Sequence, residues 1–224
     1  MTDFLEVLFE DNHCLVVNKP AGMLTMGDHT GDLSLVDRAR DYLKLKYQKP
    51  GNVFVGVVHR LDRPVSGVVL FARTSKAASR LSEQFRDRTV DKVYIAAVQG
   101  VVSPTSGVLR HRLLKDRTRN VVGIVDQTDS EGQDCVLAYR RLEKRGSLTL
   151  VEIRPQTGRS HQIRVQLSER GWPIVGDRKY GSQIGLRGAI GLHASSLTFL
   201  HPTTRNPTTV SAPLPESWDC FQNQ

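Results

Sequence analysis

The nine residues His59-Arg60-Leu61-Asp62-Arg63-Pro64-Val65-Ser66-Gly67 set one carboxylate between two arginines. Apolar runs flank them, Val53-Phe54-Val55-Gly56-Val57-Val58 before and Val68-Val69-Leu70-Phe71-Ala72 after. This pattern predicts a buried strand entering the segment and a second buried strand leaving it, with Pro64 and Gly67 interrupting regular pairing. Desolvating a carboxylate without a partner is costly, so an Asp at the ends of buried strands needs a reason. An ionised Asp held rigidly beside positive charge can act as a nucleophile or in proton transfer. The residues alone favour a turn Asp paired on the surface with Arg60 or Arg63, because fold position by itself does not give function.

Three more segments carry candidate chemistry. In Lys92-Val93-Tyr94-Ile95-Ala96-Ala97-Val98-Gln99-Gly100 the strand period of two puts Tyr94 and Ala96 on one face. A flat ring there can stack on a base and offer its hydroxyl to a polar atom, or simply fill a core. In Thr157-Gly158-Arg159-Ser160-His161-Gln162-Ile163-Arg164, Gly158 permits a tight turn and Ser160 can cap a following helix. Arg159 and Arg164 are five positions apart and do not closely share a helical face. His161 is readable as a general base or as a structural hydrogen-bonding group. Lys19-Pro20-Ala21-Gly22 reads as a turn in which Pro20 and Gly22 serve backbone geometry. Cys135, His161 and His193 fit no metal-ligand spacing, and Cys14, Cys135 and Cys220 lie far apart without a C-x-x-C pair. The expectation is therefore reduced thiols, with no metal and no other cofactor.

The elements that must position these residues follow from periodicity. Phe4 to Glu10 and His13 to Asn18 predict two strands around an Asp11-Asn12 turn. Asp32 predicts the cap of a helix over Leu33 to Gln48, with Val36, Ala39, Tyr42 and Leu43 as its apolar stripe. Thr74 or Ser75 predicts the start of a second helix reaching Arg88, with Ala77, Ala78, Leu81 and Phe85 inward. Lys92 to Val98 predicts a strand. Val101 to Gly132 predicts hairpins with a basic loop containing Lys115, Arg117 and Arg119. Asp134 to Arg141 and Ser147 to Pro155 predict paired strands, Ser160 to Arg170 a helix, and Ile190 to His201 and Thr208 to Ala212 the last strands. Strands outnumber helices and often follow one another directly, which predicts an α+β class with a mixed, largely antiparallel central sheet flanked by helices.

The chain has 224 residues, enough for one substantial core, and a single domain over residues 1–224 is expected. Its formal net charge of +8 favours a polyanionic partner, usually nucleic acid. There is no run of about 18 apolar residues that could span a membrane. The first ten residues carry Asp3 and Glu6 and lack a basic stretch followed by an apolar one, so a cytoplasmic protein is expected.

The segment His59 to Gly67 resembles the signature of the RluA-type pseudouridine synthases, which isomerise uridine in ribosomal and transfer RNA. The resemblance runs in order along nearly the whole chain: Asp11-Asn12-His13 through Gly22, Lys92 to Gly100, Thr157 to Arg164, Gly171-Trp172-Pro173-Ile174-Val175-Gly176-Asp177, Tyr180-Gly181, and Leu192-His193-Ala194 through His201-Pro202. It implies the pseudouridine synthase fold and a catalytic Asp62, with Tyr94 against the target base and Arg164 paired with Asp62. Arg60 would fill the space left by an extruded nucleotide. Arg159 is assigned to RNA phosphate or to local structure, and the loop of Lys115 to RNA contact. Where the family carries Thr, this chain has Val65, so a hydroxyl is missing. The first motif begins near residue 4, which leaves no room for the N-terminal S4-type domain of many relatives, so a stand-alone catalytic domain is expected. The expected partner is a ribosomal or transfer RNA stem-loop, with no membrane and a monomeric state. Two rival readings are a non-catalytic RNA-binding or RNA-assembly protein on the same fold, and a glycoside hydrolase. The latter usually needs two carboxylates across the scissile bond, and one convincing carboxylate is present.

Overall fold

Burial follows the apolar runs closely in this computed structural model, which describes residues 5–221 without the side chains of residues 219–221. Phe4, the expected start of the first strand, and the side chain of Cys220 lie outside the described residues. The chain divides into two units, Met1–Lys92 with Ala194–Leu214, and Val93–His193 with Pro215–Gln224.

In the first unit, β1 (Val7–Glu10) and β2 (Cys14–Lys19) form the expected hairpin around the Asp11 turn. β2 pairs antiparallel with β4 (Ser66–Ala72), and β3 (Gly56–Val57) adds two residues to β4. β10 (Leu192–Leu200), from Ala194 onward, lies next to β4 and carries β11 (Pro207–Ser211) as an antiparallel hairpin. All seven residues of β4 are buried, which explains why this strand is apolar without alternation. α1 (Leu35–Lys46) buries Leu35, Val36, Ala39 and Leu43, while Tyr42 is half-buried and donates its hydroxyl to Glu10 at 2.8 Å. α2 (Ser75–Arg86) starts at Thr74, whose hydroxyl accepts from the Ala77 N–H. Ala77 and Leu81 of α2 pack with Val68, Leu70 and Phe199 in the unit's core. His201 closes this sheet polarly. Its Nδ1 accepts from the Thr203 and Thr204 N–H groups, so Nε2 is the nitrogen that can donate to the Asp11 carboxylate at 2.7 Å. Asp11, Cys14 and His201 group within 4.8 Å of one another, and these internal hydrogen bonds engage the Asp and the His.

In the second unit, β5 (Asp91–Gln99, from Val93 onward), β6 (Ser106–Asp116), β7 (Val121–Val125), β8 (Gln133–Arg145) and β9 (Leu148–Pro155) pair in the order β5-β9-β8-β6-β7. These pairings are antiparallel, with a bulge in β8 between Arg141 and Glu143. α3 (Gln162–Glu169) packs Val165 among Leu113, Val122, Cys135 and Tyr180. The α+β class and the largely antiparallel sheet agree with expectation.

Three local readings are corrected. The cap of α1 is Ser34, not Asp32: Ser34 and Asp37 form a reciprocal capping box, and Asp32 pairs instead with Arg63 at 2.7 Å. α3 begins with His161 in the left-handed conformation at its cap position, and its terminus has no side-chain cap from Ser160. The run Val53–Val58 is not a buried strand. Two of its residues pair, and Phe54 is half exposed.

Candidate active site

Asp62 stands in the loop between β3 and β4 of the first unit, half-buried, with Arg60 and Arg63 exposed on either side. Backbone geometry ties this loop down at several points. The Val65 N–H donates to the Asp62 carbonyl at 3.0 Å, closing a turn around Pro64. Thr25 brackets Leu61, its hydroxyl donating to the Leu61 carbonyl at 2.9 Å and accepting from the Leu61 N–H at 3.1 Å. Gly22 N–H donates to the Arg63 carbonyl at 2.8 Å, and Arg63 Nε returns a bond to the Gly22 carbonyl at 3.0 Å. At the loop's end Gly67 has φ +115°, and a Cβ there would sit 2.2 Å from the Ala194 carbonyl oxygen. Only glycine fits, because both the conformation and the close approach exclude a side chain. Val65 is buried, so the methyl that replaces the family's hydroxyl meets an apolar surrounding.

The sequence pattern makes Lys19 part of a simple turn, and the structure gives it more. The side chain is fully buried at the end of β2. Its Nζ donates to the carbonyls of Pro20, Met23 and Arg63 at 3.1, 2.7 and 3.1 Å. Three carbonyls use the three donors of an ammonium group. Burial pushes the Lys19 pKa down to about 7, while the Asp62 carboxylate pulls it up and Arg63 pushes it further down. A titratable amine, coupled to the Asp62 charge, is thus built in close to Asp62. His59 stacks on Phe85 with ring centroids 4.6 Å apart and accepts the Leu70 N–H at Nε2, 2.9 Å. Burial and then Lys92 push its pKa down to about 3, so at neutral pH it is an uncharged acceptor.

The second unit holds Tyr94, Lys115, Arg159 and Arg164. Tyr94 is half-buried on β5 opposite Ile153 of β9. Arg164 is buried on α3 and engages Asp177 bidentately, Nε to Oδ2 at 2.7 Å and Nη2 to Oδ1 at 2.8 Å. The guanidinium also lies 5.0 Å from the Tyr180 ring centre. Tyr180 accepts the Val122 N–H of β7 at 2.9 Å, so its own proton can go to Nδ1 of His161, 2.7 Å away. That arrangement makes His161 a hydrogen-bonding partner of Tyr180. Gln162 anchors the loop before α3, accepting from Thr157 Oγ1 and the Arg159 N–H and donating to the Val136 carbonyl of β8. Arg159 and Arg164 have different surroundings, since Arg159 is half-buried and reaches the Asp134 carbonyl at 3.4 Å. Lys115 is exposed at the end of β6, with Arg117 and Arg119 beyond it.

Lys19, Thr25, Asp177 and Tyr180 take part in holding these groups and were not singled out as site residues in sequence. A lysine closing an apolar strand and a Gly-Asp pair beside Tyr-Gly were the available signals.

Residues 13–169 match the family model described as RNA pseudouridylate synthase. The ribosomal large subunit pseudouridine synthase C of Vibrio vulnificus is 34% identical over 94% of this chain and 66% of its own length. The tRNA pseudouridine synthase C of Haemophilus influenzae is 33% identical over 98% of this chain and 97% of its own. Among solved structures, human RNA Pseudouridylate Synthase Domain Containing 4 superposes with a TM-score of 0.81 at 25% identity, covering 97% of this chain and 93% of that one. The chain spans about two thirds of the length of the ribosomal relatives it matches.

Proposed function

The chain belongs to the RNA pseudouridylate synthase family, and on that premise we propose that it isomerises specific uridines to pseudouridine in ribosomal or transfer RNA, acting as one catalytic domain. The observation that carries the reading is the Asp62 loop. Asp62 is half-buried, its backbone is pinned by Lys19, Gly22 and Thr25, and the buried Lys19 amine lies close enough to feel its charge. A turn Asp with only a surface role has no need of such a frame.

The target uridine leaves its stack so that the enzyme can reach C1′ and the base edges, and Arg60 occupies the vacated space. Asp62 then acts at the sugar, as nucleophile or by first taking a proton from it. The N1–C1′ bond breaks with its electrons staying on uracil. The uracil turns and a C5–C1′ bond forms. The C5 proton is lost while N1 gains one, so the net change is an isomerisation. Tyr94 stacks on the base, and Arg164, held by Asp177, is the basic residue that the family reading assigns to balancing the charge of the catalytic carboxylate. Lys115 and Arg159 contact RNA phosphate.

The test is pseudouridine mapping of ribosomal and transfer RNA from the source cell with and without this gene. Sites lost on deletion and restored by wild type but not by Asp62→Asn support the proposal. An unchanged map sinks it.

A further inference from the structure

Away from Asp62, the first unit contains an open groove of about 620 Å³, lined by Arg40, Asp41 and Lys44 of α1 and by residues 51–55. We propose that this groove is a second RNA subsite, which holds an unpaired nucleotide of the same substrate strand by stacking its base on Phe54 and drawing its phosphate to Arg40 and Lys44. The inference rests on the RNA reading above and adds a place and a geometry to it.

The volume is within the range of about 300–1,000 Å³ typical of ligand sites. Phe54 is 50% exposed, so half of a large apolar ring is open to a ligand in this groove. Its ring edge lies against Gly56, where a Cβ would come within 3.2 Å of Cε1 and Cζ. The platform is thus braced by backbone on one side while half of its surface stays open. A braced, exposed aromatic is what sequence-tolerant base stacking uses. Arg40 and Lys44 are four residues apart on α1 and so project on the same side. Arg40 bonds Asp37 through Nη1 at 2.9 Å, a half-exposed pair of the kind that holds weakly in water. Asp41, the carboxylate in the lining, suits a base amino group or a ribose hydroxyl rather than phosphate, and Asn52 offers an amide for a base edge.

The groove is tethered to the reaction centre. From Phe54 to Asp62 is eight residues, at most about 27 Å of extended chain. Stacked nucleotides rise about 3.4 Å each, so one strand can occupy both places. The +8 net charge supplies the attraction that brings it there.

The probe is a fluorescein-labelled single-stranded oligouridylate about twelve nucleotides long, titrated across a salt series against wild type, Phe54→Ala and Lys44→Gln. Phe54→Ala is expected to weaken binding about tenfold with an unchanged salt slope. Lys44→Gln is expected to reduce the slope of log K against log salt by about one. Wild-type affinity and slope in both variants overturn the groove, as does UMP competing as well as the oligomer. Both side chains are exposed, so the variants should fold, and circular dichroism checks it. Pseudouridine formation on total RNA is measured in parallel. Product from wild type with unchanged binding in the variants removes the groove and leaves the synthase reading standing. Binding that depends on Phe54 and Lys44 without product from wild type does the reverse.

Discussion

Arg164 illustrates how a residue can be both catalytic candidate and structural tie. Its guanidinium and the Asp177 carboxylate are buried together through two short hydrogen bonds. Removing one member of such a pair costs about 3–5 kcal/mol, because the other charge is left without compensation in a poorly solvated place. Arg164→Met should therefore lower the denaturation midpoint as well as the rate of pseudouridine formation. In Arg164→Met/Asp177→Leu the stranded carboxylate is gone, so urea denaturation should show stability recovered while the rate stays low. Recovery of both would reduce Arg164 to a structural role. Asp62→Asn keeps the loop's shape and should still bind RNA, with single-turnover product formation reduced by at least about a thousandfold. Tyr94→Phe should retain more activity than Tyr94→Ala if stacking dominates, and equal losses would point to the hydroxyl. At this scale the sequence singles out Asp62, Tyr94 and Arg164 as candidates through their motifs. It hid Lys19 and Asp177, because each is defined by partners remote in the chain: the Arg63 carbonyl is 44 positions from Lys19, and Arg164 is 13 from Asp177.

The elements were legible wherever local chemistry decides them. β4 was recognisable as a run of apolar residues, and α2 by its Thr74 cap and inward stripe. Errors arose where two local solutions competed. Asp32 and Ser34 are both good caps, and the reciprocal bonding of Asp37 with Ser34 decides between them, leaving Asp32 free to hold Arg63. The run Val53–Val58 is apolar enough for a core strand, yet pairing with β4 is limited to Gly56 and Val57. How much of a strand finds a neighbour is a tertiary fact that periodicity does not contain. The loop carrying Asp62 depends most on Gly67, whose positive φ and contact with Ala194 admit no side chain. Gly67→Ala should cost at least about 2 kcal/mol through backbone strain and clash at once. Thermal denaturation checks this, and a midpoint near wild type would mean that β10 moves aside easily.

For the molecule as a whole, the shifted histidines, carboxylates and Lys19 give stability the same dependence on pH, and Cys14, Cys135 and Lys46, all shifted upward, oppose it only in the alkaline range. Burial pushes His59 from 6.5 to about 3, so between these values the unfolded chain binds a proton that the folded one refuses. Stability must then rise with pH through that window, and fall on acidification. Lys19, pushed from 10.5 to about 7, gives the same sign between pH 7 and 10.5. For Glu10, burial raises the pKa, but hydrogen bonds from Lys46, Tyr47 and Tyr42 outweigh it and hold the carboxyl below its usual 4.5. Asp11 is likewise raised by burial and held low by the His13 and Cys14 N–H groups and by His201. These carboxylates contribute stability above their ordinary pKa and lose it as pH falls through the lowered values. The melting temperature should thus decline from pH 6.5 to 4.5 through His59 before the carboxylates titrate. His59→Gln tests the assignment, since an amide oxygen can still accept the Leu70 N–H but does not titrate. Its midpoint at neutral pH should be lower, because the stack on Phe85 is lost, while its decline between pH 6.5 and 4.5 should be flatter than wild type. A parallel decline in both proteins would show that His59 is protonated in the folded state, and that its acceptor role at Leu70 is not what orders the approach to Asp62.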